Sequence, residues 1–97
     1  MLDTKELERR ILAMAVETFS ADVILAVHCE RGLDHVYEPV VWTRFVVAEG
    51  RMPLDAKVKL GFGLRLRLAF DDWGDAAYPV TFFYPESDYK RLYPAAA

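Results

Sequence analysis

His28, Cys29, Glu30 and His35 form the one cluster in this chain with the residue types of nucleophilic or metal chemistry. A thiol beside an imidazole can be held as thiolate, and Cys with His ligates zinc. The spacing argues against both uses. A zinc site needs three or four converging ligands, usually as Cys or His pairs a few residues apart, whereas this chain has one cysteine and two histidines. In an extended segment His28 and Cys29 point to opposite faces, which splits the cluster. No catalytic residue, metal ligand or cofactor is assigned, and the expectation is a protein that is not an enzyme.

The second candidate is cationic. Residues 57–70 alternate strictly: Val58, Leu60, Phe62, Leu64, Leu66, Leu68 and Phe70 fall on one parity, and Lys57, Lys59, Gly61, Gly63, Arg65, Arg67 and Ala69 on the other. A period of two is that of a β-strand. It predicts one long strand with a greasy face and a cationic, glycine-notched face. Side chains two apart on a strand stand roughly 6.5 Å apart, so Lys57, Lys59, Arg65 and Arg67 could track a phosphate backbone. Nucleic-acid binding through this basic strand is therefore the alternative function. A solvated face balanced by acids such as Glu38 and Glu49 is the simpler reading, because the chain as a whole is acidic. Gly61-Phe62-Gly63 is not a nucleotide loop, since the rest of the glycine pattern and the following helix are missing.

Asp71, Asp72 and Asp75 surround Trp73 and Gly74 without the spacing of a calcium loop, and read as a polar turn. Trp73 there is either a lid over the end of the core or an exposed anchor for a partner. Tyr78, Phe82, Phe83, Tyr84, Tyr89 and Tyr93 make an aromatic C-terminal quarter, suited to core packing or to a partner surface.

The elements that must position these residues begin with a helix. Asp3 can cap it, Glu6 can reach back, and Leu7, Ile11, Met14, Ala15 and Phe19 follow at helical spacing, with an end near Ser20–Asp22. Val23 to Val27 is apolar on both parities, as in a strand covered on both faces. Arg31-Gly32-Leu33-Asp34 reads as a tight hairpin turn that sets Glu30 opposite His35 and Cys29 opposite Val36. Val36–Val41, broken by Pro39, and Trp42–Ala48 read as further strands. The long basic strand comes next, then Tyr78–Tyr84, then a short helical turn from Pro85 to Tyr93.

This order predicts a single α+β domain over residues 1–97. An N-terminal helix packs on a curved antiparallel sheet of four to five strands, with Gly61 and Gly63 letting the long strand curl. In general shape alone this resembles cystatin-like and NTF2-like rolls. If the seven apolar residues of the long strand are its core face, Leu64→Asp and Leu66→Asp should each unfold the domain.

Composition narrows the function classes. The 97 residues carry 12 cations against 15 acids, and 54% are hydrophobic, more than a small core needs. Residues 51–70 hold five cations and one acid, so a basic middle sits between acidic ends. One cysteine permits no internal disulfide, and no apolar run approaches the ~20 residues that span a bilayer. A cytoplasmic protein without a membrane partner is expected. The first expectation for function is a small protein-binding module of the inhibitor or accessory kind, such as immunity or anti-defence proteins of mobile elements. It would contact another protein through Arg65, Arg67, Trp73, Tyr89 and Tyr93. A homodimer through the long strand or the aromatic end, and an apolar ligand held between helix and sheet, complete the expectations.

Overall fold

The structure, a computed structural model, describes residues 1–94. The elements in chain order are α1 (Thr4–Phe19), β1 (Ile24–Leu33), β2 (Pro39–Val47), α2 (Ala56–Asp72), β3 (Tyr78–Pro85) and α3 (Glu86–Leu92). The strands form one sheet in the order β1-β2-β3. β1 and β2 are antiparallel, while β2 and β3 run parallel from Val40 beside Tyr78 to Val47 beside Pro85.

The sheet is thus three-stranded and mixed, not four- or five-stranded and antiparallel, and it is not strongly curled into a roll. The reason lies in residues 57–70, which are helix and not strand. Parallel neighbours need a crossover between them, and α2 is that crossover. The Asp55 carboxylate accepts from the Val58 N–H at 3.0 Å and caps its first turn. Val58 is the one β-branched residue in this segment, and leucine, lysine, arginine and alanine dominate it, all strong helix formers. Two residues along an α-helix turn by about 200°, so strict alternation divides into two stripes on nearly opposite faces. Phe62, Leu66 and Phe70 point into the core, each at most 1% exposed. Leu60, Leu64 and Leu68 point out and are 69%, 53% and 64% exposed. The cations are distributed around the helix by the same rotation.

Two features of α2 oppose its otherwise helical composition. Gly61 and Gly63 lie in its interior, where each glycine costs about 0.8–1 kcal/mol relative to alanine. A Cβ added at either would meet nothing within 4 Å. Lys57 and Lys59 stand near the N-terminus and Asp71 and Asp72 in the last turn, the reverse of what the helix dipole favours.

α1 forms as expected. Asp3 Oδ1 accepts from the Glu6 N–H at 2.8 Å, but Glu6 does not reach back. Its carboxylate is held by Arg9 at 2.5 Å and Arg10 at 2.8 Å, which lowers its pKa to about 2, the Arg9 hydrogen bond first. Leu7, Ile11 and Ala15 of α1 join Val27, Val41, Phe45 and Val47 of the sheet and the inner stripe of α2 in one core. Phe45 meets Phe62 edge-on at 5.6 Å and stacks on Phe83 at 4.6 Å. Both long helices therefore share one face of the sheet. The Glu8 carboxylate accepts from the Cys29 N–H at 2.8 Å, tying α1 to the edge strand.

The β1–β2 connection differs from the expected turn. β1 runs on through Gly32 to Leu33, so Glu30 opposes Trp42 and Cys29 opposes Thr43, not His35 and Val36. The chain reverses over residues 34–38, and Pro39 opens a single strand β2 in place of two. The Asp34 carboxylate holds this loop by accepting from the Val36 and Glu38 N–H groups at 2.9 and 3.0 Å, contacts that lower its pKa, the Glu38 bond most. Within it Tyr37 adopts φ 64°, a left-handed conformation that strains a bulky L-residue. Tyr37→Gly should raise stability by about 1 kcal/mol, read as a higher midpoint in urea at unchanged slope.

Candidate functional site

The second face of the sheet carries Val40, Trp42 and Arg44 from β2, with His28, Glu30 and Gly32 from β1 and Val80, Phe82 and Tyr84 from β3. α3 covers one end of it. Tyr89 stacks on His28 at 4.9 Å with the rings 9° apart, and Tyr93 lies under the Arg44 guanidinium at 4.8 Å. Tyr84 packs against both tyrosines at 6.0 Å. Glu30 accepts from Arg44 at 3.0 Å. Among the described residues, Arg44 Nε is the one buried side-chain polar atom without a hydrogen-bond partner.

Beyond α3 the face lies open. Trp42 rests its indole on Gly32, where a Cβ would stand 2.8 Å from Nε1, so only glycine admits this pose. Phe82 sits 6.4 Å from the indole. Beside them a groove of about 580 Å³ is lined by Val40, Trp42, Val80 and Tyr78 together with Asp34, His35 and Glu38. The hairpin tip adds exposed Leu33, Val36 and Tyr37. An indole seated on Gly32, a flanking phenyl ring and the nearby Asp34 and Glu38 make a surface that can take an apolar side chain accompanied by positive charge.

No protein-family model, curated protein or solved structure matches this chain.

The residues singled out from the sequence are scattered by the fold. Cys29 faces α1, and burial first, then the Glu8 carboxylate, pushes its thiol up to about 12, so it stays protonated at neutral pH. His28 is on the other face against Tyr89. Among the described residues no three of His, Cys, Asp and Glu converge as a metal site would require. Asp71 and Asp72 belong to α2, while Asp75 is buried against Arg31, so these acids form no common loop site.

Lys57, Lys59, Arg65 and Arg67 make no row. Arg65 hydrogen-bonds the Thr18 hydroxyl, Arg67 stacks on Tyr78 at 4.8 Å, and Lys59 lies over Phe83 at 5.6 Å. Trp73 packs on Phe70 at 5.6 Å under Arg10 at 5.4 Å, and plugs the end of the core. Tyr89 is 4% exposed, and with Tyr93 it fastens α3 to the sheet. Of the expected contact residues, Arg65 and Arg67 remain at the surface of α2. Phe82 belongs to the aromatic quarter expected from the sequence, whereas nothing in the sequence singles out Trp42 or Tyr37. The available signal was Gly32, because a glycine inside a strand marks a close approach, but its position suits a turn equally well. No helix is long and apolar enough to cross a membrane among the described residues.

Proposed function

We propose that this chain is a non-catalytic protein-binding module, of the inhibitor or accessory kind, that engages its partner through the open end of the sheet. The observation that carries this reading is Trp42 seated on Gly32 beside an open apolar groove. Tryptophan and tyrosine held rigid before binding are the commonest anchors of protein interfaces, because little side-chain freedom is left to lose. Charge points to the partner's character. Outside residues 51–70 the chain carries 7 cations against 14 acids, and Asp34 and Glu38 stand at the groove. The partner surface is therefore an apolar residue accompanied by lysine or arginine. Nucleic acid fits less well, since the four cations of α2 point in different directions and two of them cover aromatic rings.

The test is capture from native lysate, with nuclease, by wild-type protein, Trp42→Ala and Gly32→Ala, each first shown to melt cooperatively. The wild type should retain a basic protein through nuclease treatment. Once that protein is purified, Trp42→Ala should weaken its binding by about 30-fold or more, as a central anchor does. Gly32→Ala, which displaces the indole without removing it, should weaken it less. Retention lost with nuclease, or equal binding by Trp42→Ala, would overturn the proposal.

A further inference from the structure

The outer face of α2 is unpartnered, and its residues are arranged symmetrically about Leu64. Leu60 and Leu68 lie four residues to either side, and Lys57 and Asp71 seven residues to either side. At 3.6 residues per turn all five fall on one stripe of the helix, opposite the buried stripe. Leu60, Leu64 and Leu68 are all more than half exposed, and Leu64 and Asp71 line the same shallow depression with Leu68. Among the described residues, none of the four α2 cations forms an ion pair, whereas Arg9, Arg10, Arg31, Arg44, Lys90 and Arg91 all do.

We infer that this stripe is a two-fold interface with a second copy of the chain, the two α2 helices packing antiparallel across an axis at Leu64. A two-fold contact requires each residue pair to occur twice with its members exchanged, and this stripe meets that condition. Leu64 meets Leu64 of the second copy, Leu60 meets Leu68, and Lys57 meets Asp71. The inference rests on the outer stripe of α2 and not on the Trp42 groove, and the two sites meet only at Tyr78, which lines that groove and is stacked by Arg67 of α2.

The pairing accounts for three features that the single chain leaves unexplained. The outer leucines gain cover. Lys57 near the start of α2 and Asp71 at its end, each unfavourable to their own helix, face the opposite charge of the other copy. Gly61 and Gly63, which nothing inside the chain requires, flank the stripe where the second helix comes closest and leave room for its arginine side chains. A stripe of four turns is about 21 Å long, a small contact of the kind found in weak complexes, so association is expected on the order of micromolar.

Sedimentation equilibrium across about 5–500 µM brackets that range. The wild-type mass should rise from 11.1 kDa toward twice that value. Leu64→Asp, first shown to melt cooperatively, should stay at the monomer mass. Lys57→Asp and Asp71→Lys should each weaken association at least tenfold, and the two combined should restore it. A wild type that stays monomeric throughout overturns the inference. So does a dimer indifferent to Leu64→Asp, or a charge exchange that fails to restore association.

Discussion

Leu66→Asp should abolish the cooperative unfolding transition, while Leu64→Asp should leave it within a degree or two of the wild type at concentrations where the protein is monomeric. That is the largest contrast expected from any pair of substitutions two residues apart in this chain. Leu66 has no exposed surface and stands between Phe62 and Phe70 on the inner stripe of α2. Truncating a core leucine costs about 2–5 kcal/mol, and burying an unpaired carboxylate adds several more. A domain of this size has about 5–15 kcal/mol in all. Leu64 is 53% exposed, and its replacement removes no core contact. Read as a strand, residues 57–70 would lose their core face with either substitution. Thermal melts of the two variants, followed by far-ultraviolet dichroism, therefore distinguish helix from strand. Two collapsed melts would contradict the fold described here.

Asp75→Asn should lower stability by about 1–3 kcal/mol, the cost of removing the charged partner from a part-buried ion pair. Asp75 Oδ2 lies 2.5 Å from Arg31 Nη2, its side chain has no exposed surface, and its Oδ1 accepts from the Ala77 N–H at 3.1 Å. Arg31 Nη2 also donates to the Leu2 carbonyl at 2.6 Å. One ion pair thus joins the N-terminus, β1 and the connection from α2 to β3. The Arg31 hydrogen bond, more than any other cause, holds the Asp75 carboxyl below its ordinary value of 3.8. The folded state therefore binds this proton less readily than the unfolded state. The contribution is fully present above the ordinary carboxylate range and is lost as the pH falls through the lowered value. Urea titrations between about pH 6 and pH 2 should show a steep acid loss in the wild type and a shallower one in Asp75→Asn. Equal slopes would contradict the assigned role.

Four elements are legible in the sequence, although β1, expected to be covered on both faces, is an edge strand with Leu25 43% exposed. α1 has a capping aspartate and a spacing no strand shares, and β1, β3 and α3 fall close to their expected places. α2 was misread for a physical reason. Apolar residues alternating with cations fit a strand with one wet face, but in a helix the same apolar parity splits into two stripes on nearly opposite faces, one buried and one exposed. Asp55, the scarcity of β-branched residues and a run of 14 alternating residues, longer than most strands, were the contrary signals. That one substitution of helix for strand carries most of the other differences, because a helical crossover makes β3 parallel to β2 and leaves a sheet of three strands. The Arg31–Asp75 pair joins residues 44 apart, and no local pattern announces it. The seat of Trp42 on Gly32 is likewise a cross-strand contact, visible only once the register of β1 against β2 is known.

The binding proposal is tested most directly by footprinting. The captured partner, purified, is mixed with the protein, and hydroxyl-radical oxidation of each side chain is compared with and without it. The expected result is protection concentrated at Tyr37, Trp42, Tyr78 and Phe82, with the exposed leucines of α2 unchanged at concentrations where the protein is monomeric. Protection confined to Leu60, Leu64 and Leu68, with Trp42 oxidised at its free rate, would contradict the assignment of the sheet end as the binding face.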